Sequence, residues 1–216
     1  MSGPGPDVSA QSPPPAAQTI FGANFERAQA YAALLCDPGV TRGLVGPREP
    51  ERIWTRHLLN GAALAPWVPP AAAVLDVGSG AGLPGIALLL ARPDLSMTLL
   101  EPMARRVAFC EQVRTALGLD FAVVHGRAQE AAKGSAEVVV ARAVAPLDRL
   151  VELALPLLRP GGQLLALKGE RAGEEARAAG PLLRRLGIEP PRVHPLGEGA
   201  DRTYVVAVAA PAKALR

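Results

Sequence analysis

The sequence predicts an α/β protein: a doubly wound, mostly parallel sheet with an antiparallel C-terminal strand and a small N-terminal helical cap. Three observations predict it. Short, wholly apolar runs such as Val138–Ala141 and Leu164–Leu167 sit between helix-length segments, as strands covered on both faces require. Strand-like and helix-like segments alternate after Pro70, which implies right-handed crossovers. One strand candidate, Ala73–Val77, also runs straight into a glycine-rich turn that opens a helix.

The elements follow in order. Residues 1–18 hold five Pro, two Gly and one charge, so they read as a disordered tail. Apolar residues recur at helical spacing from Phe21 to Leu35, and Asp37-Pro38-Gly39 breaks the pattern. A second helix begins near Pro50, with Ile53, Trp54, His57, Leu58 and Ala62 on one side and Arg52 and Arg56 on the other. Pro66 and Pro69-Pro70 end it, so residues 19–70 form the cap and 71–210 the main domain, with 211–216 a C-terminal tail. Strands are expected at Ala73–Val77, Met97–Glu101, Phe121–His125, Glu137–Ala141 and Gln163–Leu167. Helices fit at Pro84–Ala91, Met103–Leu117 and Pro146–Leu158, with a short turn near Ala128–Ala132. A helix near Gly173–Leu186 then precedes Ile188–His194 and Thr203–Val208, a hairpin joined by the loop Pro195–Arg202 that reverses one strand.

Composition removes several function classes. At 216 residues and 49% apolar content the chain supports one sizeable core rather than two full domains. Its 23 Lys+Arg against 20 Asp+Glu give only +3, too little to coat nucleic acid by charge alone. Aromatics at 4% argue against a face that stacks several bases. Cys36 and Cys110 stand far apart and without a Cys-x-x-Cys partner, so neither a disulfide framework nor a cysteine zinc site is expected. No apolar stretch approaches the roughly 18 residues of a membrane span, and no basic segment followed by an apolar run stands near residue 1, so secretion is not expected. The expected setting is a reducing cytoplasm.

The most informative stretch is Val74-Leu-Asp-Val-Gly-Ser-Gly-Ala-Gly-Leu-Pro-Gly85. Gly80, Gly82 and Gly85 satisfy the dinucleotide pattern, which alone is weak evidence. Two details point away from a pyrophosphate. The glycines begin at the strand end with Gly78, and Asp76 lies two residues before it. A carboxylate there repels phosphate and attracts an ammonium or sulfonium group. S-adenosylmethionine carries both cations and no phosphate.

Glu101 ends the second strand 21 positions after Gly80, where an acid accepts hydrogen bonds from both ribose hydroxyls of an adenosine. Its plain alternative is a cap for the next helix, and Arg105 and Arg106 within that helix read as solvated. Ala128 and Gln129 follow the third strand and are placed to edge the adenine. Arg142 emerges at the carboxyl end of the fourth strand, where a charge needs an anion or a carbonyl. Lys168-Gly169 ends the fifth strand in the same way, for RNA phosphate or for packing.

Missing motifs narrow the acceptor. No Asp/Asn-Pro-Pro-Tyr/Phe follows the fourth strand, and neither cysteine follows a proline at a strand end. The position that would supply an acid for a 2′-hydroxyl acceptor holds Arg142. Acceptors with a ready lone pair, such as guanine N7, remain; they need alignment more than proton transfer. Two rival functions also remain: a methyltransferase acting on a small molecule or protein, and an NAD-dependent oxidoreductase using Gly80-x-Gly82-x-x-Gly85.

These residues resemble the guanine-N7 methyltransferases of bacterial small-subunit (16S) ribosomal RNA, also called glucose-inhibited division protein B. The matching segments are Arg56-His57-Leu58-Leu59, Asp76–Ile86, Leu99-Leu-Glu101, Arg127, Ala141-Arg142-Ala143 and Leu167-Lys168-Gly169, in order over about residues 20–210. The resemblance implies a Rossmann-like class I S-adenosylmethionine-dependent methyltransferase that modifies guanine N7 near the decoding centre. It implies cofactor contacts at Gly78, Leu83, Ala128, Gln129 and Arg142, with Glu101 on the ribose and Gly80 in the same loop. The implied partner is 16S ribosomal RNA or the small-subunit particle, bound by a monomer without metal or membrane. Three positions depart from the family pattern. Gln129 stands where Glu is common, Asn60-Gly61-Ala62 replaces Asp-Ser-Leu, and Gly43-Leu44-Val45 replaces Asn-Leu-Thr.

Overall fold

The structure is a computed structural model that describes residues 10–196 and 202–212. Seven strands are present among these residues: β1 Ala73–Val77, β2 Ser96–Glu101, β3 Ala122–His125, β4 Ala136–Arg142, β5 Leu158–Lys168, β6 Arg192–Leu196 and β7 Thr203–Ala209. They form one sheet in the order β3-β2-β1-β4-β5-β7-β6. Neighbours from β3 to β5 run parallel, and β7 runs antiparallel to both β5 and β6. The single reversed strand expected at the C-terminus is therefore β7. Residues 197–201 of the expected hairpin loop lie outside the described residues.

Residue parity explains why the strands read as unbroken apolar runs. Val74, Leu99, Val138, Val140 and Leu165 belong to one core, whereas Leu75, Leu100, Val139, Ala141 and Leu164 belong to the other. Successive side chains leave a strand on opposite faces, so a strand buried on both must be apolar throughout. Among the described residues seven α-helices accompany the sheet: α1 Pro15–Phe21, α2 Phe25–Leu34, α3 Leu59–Ala62, α4 Gly85–Ala91, α5 Ala104–Leu117, α6 Leu147–Ala154 and α7 Ala172–Arg185. The first five contribute to one core and α6 and α7 to the other.

The N-terminal region corrects one expectation. Helix α1 begins at Pro15, inside the stretch whose composition suggests a disordered tail, while residues 1–9 lie outside the described residues. Proline at the first helical turn loses no hydrogen bond and arrives with a helical φ. Ala17 and Phe21 then bury fully beside Trp54, whose ring meets Phe21 edge-on at 6.2 Å. Gln11 adds a clamp by accepting the Trp54 and Thr55 N–H groups at 2.9 and 3.1 Å. The cap also shares one continuous core with α4 and α5 rather than having its own. The helix expected from Pro50 is irregular, a 3-10 turn, a wide turn over Ile53–Leu58 and then α3, yet it buries Ile53, Trp54, His57 and Leu58 on the expected side.

The chain passes from β1 to β2 on one side of the sheet, and β4 takes the other side of β1. Ligands bind such sheets outside the carboxyl ends of the strands where the winding reverses. That point holds the ends of β1, β2 and β4.

Candidate functional site

The loop after β1 is fastened on three sides. The Gly78 and Ser79 N–H groups donate to the Leu100 carbonyl at 2.8 and 3.3 Å, continuing the β1–β2 ladder beyond the strand. Glu101, fully buried, accepts the Gly80 N–H on Oε2 at 2.8 Å and the Met103 N–H on Oε1 at 2.9 Å. One oxygen thus holds the N–H of the residue that precedes α5, and the other braces the glycine loop. From the opposite side the Tyr31 hydroxyl donates to the Ala81 carbonyl at 2.8 Å. Burial, chiefly, pushes this phenol well above its ordinary pKa and keeps it a donor.

Asp76 is tied more tightly than the sequence suggests. Its Oδ2 accepts the Gly85 N–H at 2.8 Å at the start of α4, while Oδ1 is buried with no hydrogen-bond partner. Burial raises its pKa to about 7, against the Gly85 hydrogen bond and the Arg142 charge.

Two cavities meet at this edge. The smaller, about 460 Å³, is lined among others by Gly78, Gly80, Leu83, Glu101, Arg106 and Arg142. The larger, about 680 Å³, is lined among others by Arg56, Asn60, Arg142, Lys168, Glu175 and Arg202. Glu49, His57, Arg142, Ala143 and Val144 line both and so form their common wall. Across that wall Arg142 Nη1 donates to His57 Nδ1 at 2.5 Å, and His57 Nε2 meets Glu49 Oε2 at 2.6 Å.

Chemistry fixes the protons in this chain. A guanidinium only donates, so His57 Nδ1 must accept and Nε2 must carry the hydrogen given to Glu49. Burial first, then the Arg142 charge, bring the His57 pKa down to about 4. The His57 hydrogen bond and the Arg56 and Arg52 charges lower that of Glu49 against the opposing effect of burial. The wall is thus a cation, a neutral imidazole and an anion in series.

Five of the seven residues expected at the cofactor site, Gly78, Gly80, Leu83, Glu101 and Arg142, converge on the smaller cavity. Ala128 and Gln129 do not line it. They sit on a 3-10 turn after β3, Ala128 packed against the second core and Gln129 exposed. Lys168 is buried and engaged by Glu175 at 2.8 Å and the Ala145 carbonyl at 2.5 Å, while it also lines the larger cavity. Arg106, expected to be solvated, reaches the smaller cavity and stands 3.8 Å from Glu101. Glu49, His57 and Tyr31 escaped the sequence reading as site residues. Only His57 had a signal, a polar ring on the apolar side of its helix, and nothing local marks the other two.

Residues 24–204 match the family described as GidB, rRNA small subunit methyltransferase G. The chain belongs to the GidB family. A relative from Salinispora tropica named ribosomal RNA small subunit methyltransferase G is 52% identical over 207 residues, covering 90% of this chain and 86% of its own. A protein of the same name from Streptomyces coelicolor is 53% identical over 189 residues, covering 86% and 79%. Among solved structures, an S-adenosylmethionine-dependent methyltransferase from Aquifex aeolicus aligns with a TM-score of 0.56 at 18% identity, covering 80% of this chain and 98% of that one. An M. jannaschii protein in complex with AdoMet aligns at 0.55 and 13% identity, covering 72% and 75%. At such identities the likeness shows the fold, that of the class I methyltransferases. This GidB protein is an S-adenosylmethionine-dependent methyltransferase.

Proposed function

We propose that this enzyme methylates N7 of a guanine in 16S ribosomal RNA, near the decoding centre of the small subunit. The observation that carries this reading is the common wall. Its side chains are poor proton acceptors: Arg142 stays protonated, His57 Nδ1 is already occupied, and Glu49, its pKa lowered, holds the other end of the same ring. An acceptor that must first be deprotonated finds no base there. Guanine N7 bears no proton and needs only to be aligned.

The smaller cavity fits S-adenosylmethionine. A Cβ built on Gly80, whose φ is +59°, would come no nearer than 4.0 Å to other atoms, so the loop backbone borders open space. Asp76, which the sequence suggests as a carboxylate facing the cation, is instead fully buried against Gly85 and is not among the residues lining this cavity. Gly78, Gly80 and Leu83 would hold the methionine part and Glu101 the ribose, with Arg142 at the boundary shared with the larger cavity, while Ala128 and Gln129, expected at the adenine edge, stand beyond the cavity lining. The cofactor supplies an electrophilic methyl group. The protein's own contribution is to orient, through Arg142 and the braced loop, and to leave N7 bare.

The larger cavity, with Arg56, Arg142 and Arg202 in its lining, suits an extruded base and its phosphates. Among the described residues no helix is long and apolar enough to cross a membrane. The site of action on this reading is the cytoplasm, where ribosomal RNA resides. Mapping N7-methylguanine in 16S RNA from cells with and without the gene tests it. One modified guanine should disappear on deletion, and an unchanged map sinks the assignment.

A further inference from the structure

Arg142 has more donors than the protein uses. Its guanidinium carries five N–H groups, and among the described residues one of them has an acceptor, His57 Nδ1. The side chain is half-buried and lines both cavities, so its remaining donors border the space where ligands enter. A planar fork with spare donors, fixed at one corner, is a recognition element rather than a plain charge.

A guanine in the larger cavity that turns N7 toward the smaller one presents O6 beside N7 on the same edge. That edge faces the common wall. Of the wall's side chains, Glu49 only accepts, His57 has its one hydrogen on Glu49, and Ala143 and Val144 are apolar. Arg142 is the side chain there with donors to offer. An arginine free to swing would take O6 and N7 together, its commonest pairing with guanine, and would cover the atom to be methylated. The His57 contact, backed by Glu49, limits that swing.

Resting on the function proposed above, we infer that Arg142 is a specificity-determining residue that reads O6 of the acceptor guanine, and that His57 and Glu49 are positioning residues that hold it off N7. Adenine presents an amino donor at the O6 position, and two donors then oppose each other. Purines without a carbonyl at C6 lose the contact altogether. The wall therefore selects guanine, and any purine sharing its O6–N7 edge, without contacting N1 or the 2-amino group.

The test uses the full-length enzyme and small-subunit RNA in which the mapped acceptor is replaced by inosine, 2-aminopurine or adenine. Rates are normalised to each base's N7 reactivity toward dimethyl sulfate, which removes differences in intrinsic nucleophilicity. Inosine, which keeps O6, should be methylated within about threefold of guanine. 2-Aminopurine, which lacks O6, should fall by about tenfold or more, the usual size of one base-edge contact. A wild-type enzyme that accepts 2-aminopurine as well as guanine overturns the inference. His57→Ala supplies the second arm. Its affinity for S-adenosylhomocysteine should stay within a few-fold, while kcat on guanine drops and the guanine/2-aminopurine ratio falls toward one. His57→Gln, which can still accept from Arg142 and donate to Glu49, should restore much of both. If His57→Ala keeps the full ratio, or His57→Gln rescues nothing, the positioning role is wrong. Failure of the wild-type enzyme to methylate the guanine substrate, with S-adenosylhomocysteine still bound, counts against the function itself rather than against the reading of O6.

Discussion

The Tyr31 hydroxyl reaches 2.8 Å from the Ala81 carbonyl, joining a cap helix to the glycine loop across 50 residues of sequence. The contact is buried, so no water replaces it when one partner is removed. It makes loop geometry depend on a helix that has no part of its own in the smaller cavity.

Tyr31→Phe should therefore lower stability by roughly 1–2 kcal/mol, the cost of leaving a buried carbonyl unsatisfied. It should also weaken S-adenosylhomocysteine several-fold because the loop loses its brace. Urea unfolding and calorimetric titration report the two effects separately. A stability loss with unchanged affinity would show that Tyr31 supports the core and not the loop.

Gly80→Val places a branched side chain where the loop borders the smaller cavity, at a φ of +59° that branched residues avoid. Cofactor affinity should fall by more than about tenfold while the unfolding transition stays cooperative. Gly78→Ala differs, because its Cβ meets Val144 Cγ2 at 2.9 Å inside the protein. Stability should register that change at least as strongly as binding. Wild-type affinity in Gly80→Val would remove the loop from the cofactor site.

Glu101→Ala removes the acceptor for both the Gly80 and the Met103 N–H groups. Cofactor binding should weaken by about 1–3 kcal/mol, the range for charge-assisted hydrogen bonds, with a parallel loss of stability. Glu101→Gln retains one acceptor oxygen and should be milder in both. Calorimetry on the pair decides between a carboxylate that faces ligand and one that only caps α5; equal affinity in Glu101→Ala supports the cap.

Acid should act on the wall through His57. Burial and the Arg142 charge lower its pKa from 6.5 to about 4, against Glu49, while Arg56 adds to the lowering. The unfolded chain then binds this proton first, so the fold loses stability as pH drops from 6.5 to about 4. Asp76 works in the opposite sense. Its pKa is raised from 3.8 to about 7, so the destabilisation present above pH 7 is relieved as pH falls toward 3.8. His57→Gln removes the first effect and leaves the second. Its stability relative to wild type should rise by up to about 3 kcal/mol from pH 7 to pH 4, read from urea midpoints at each pH. A difference that stays constant with pH would mean that His57 titrates normally.

Sequence legibility follows the range of the interactions involved. Strands β1, β2 and β4 and helices α4 and α5 fall within one or two residues of their expected bounds, because apolar periodicity is written in adjacent residues. Helix α1 was hidden by composition. Prolines that suggest disorder in a polar stretch instead start a helix once Ala17 and Phe21 have a core to enter. Gly78, Gly80, Leu83, Glu101 and Arg142 were legible as a group, since a strand end and a fixed spacing point them to one sheet edge. Ala128 and Gln129 share that edge by topology, yet a short turn after β3 leaves them beyond the cavity lining.

The sequence by itself determined the sheet, the glycine loop and the cation-bearing cofactor, because each rests on residues within about one turn or one strand of one another. Tertiary structure alone decided what Arg142 does. Its partner His57 lies 85 residues away and Glu49 a further 8, on an irregular turn of the cap that no periodicity positions. Only packing of that cap into the core of α4 and α5 brings the imidazole to the guanidinium. The donor-only guanidinium then sets the proton positions, and partial exclusion of water strengthens the contact.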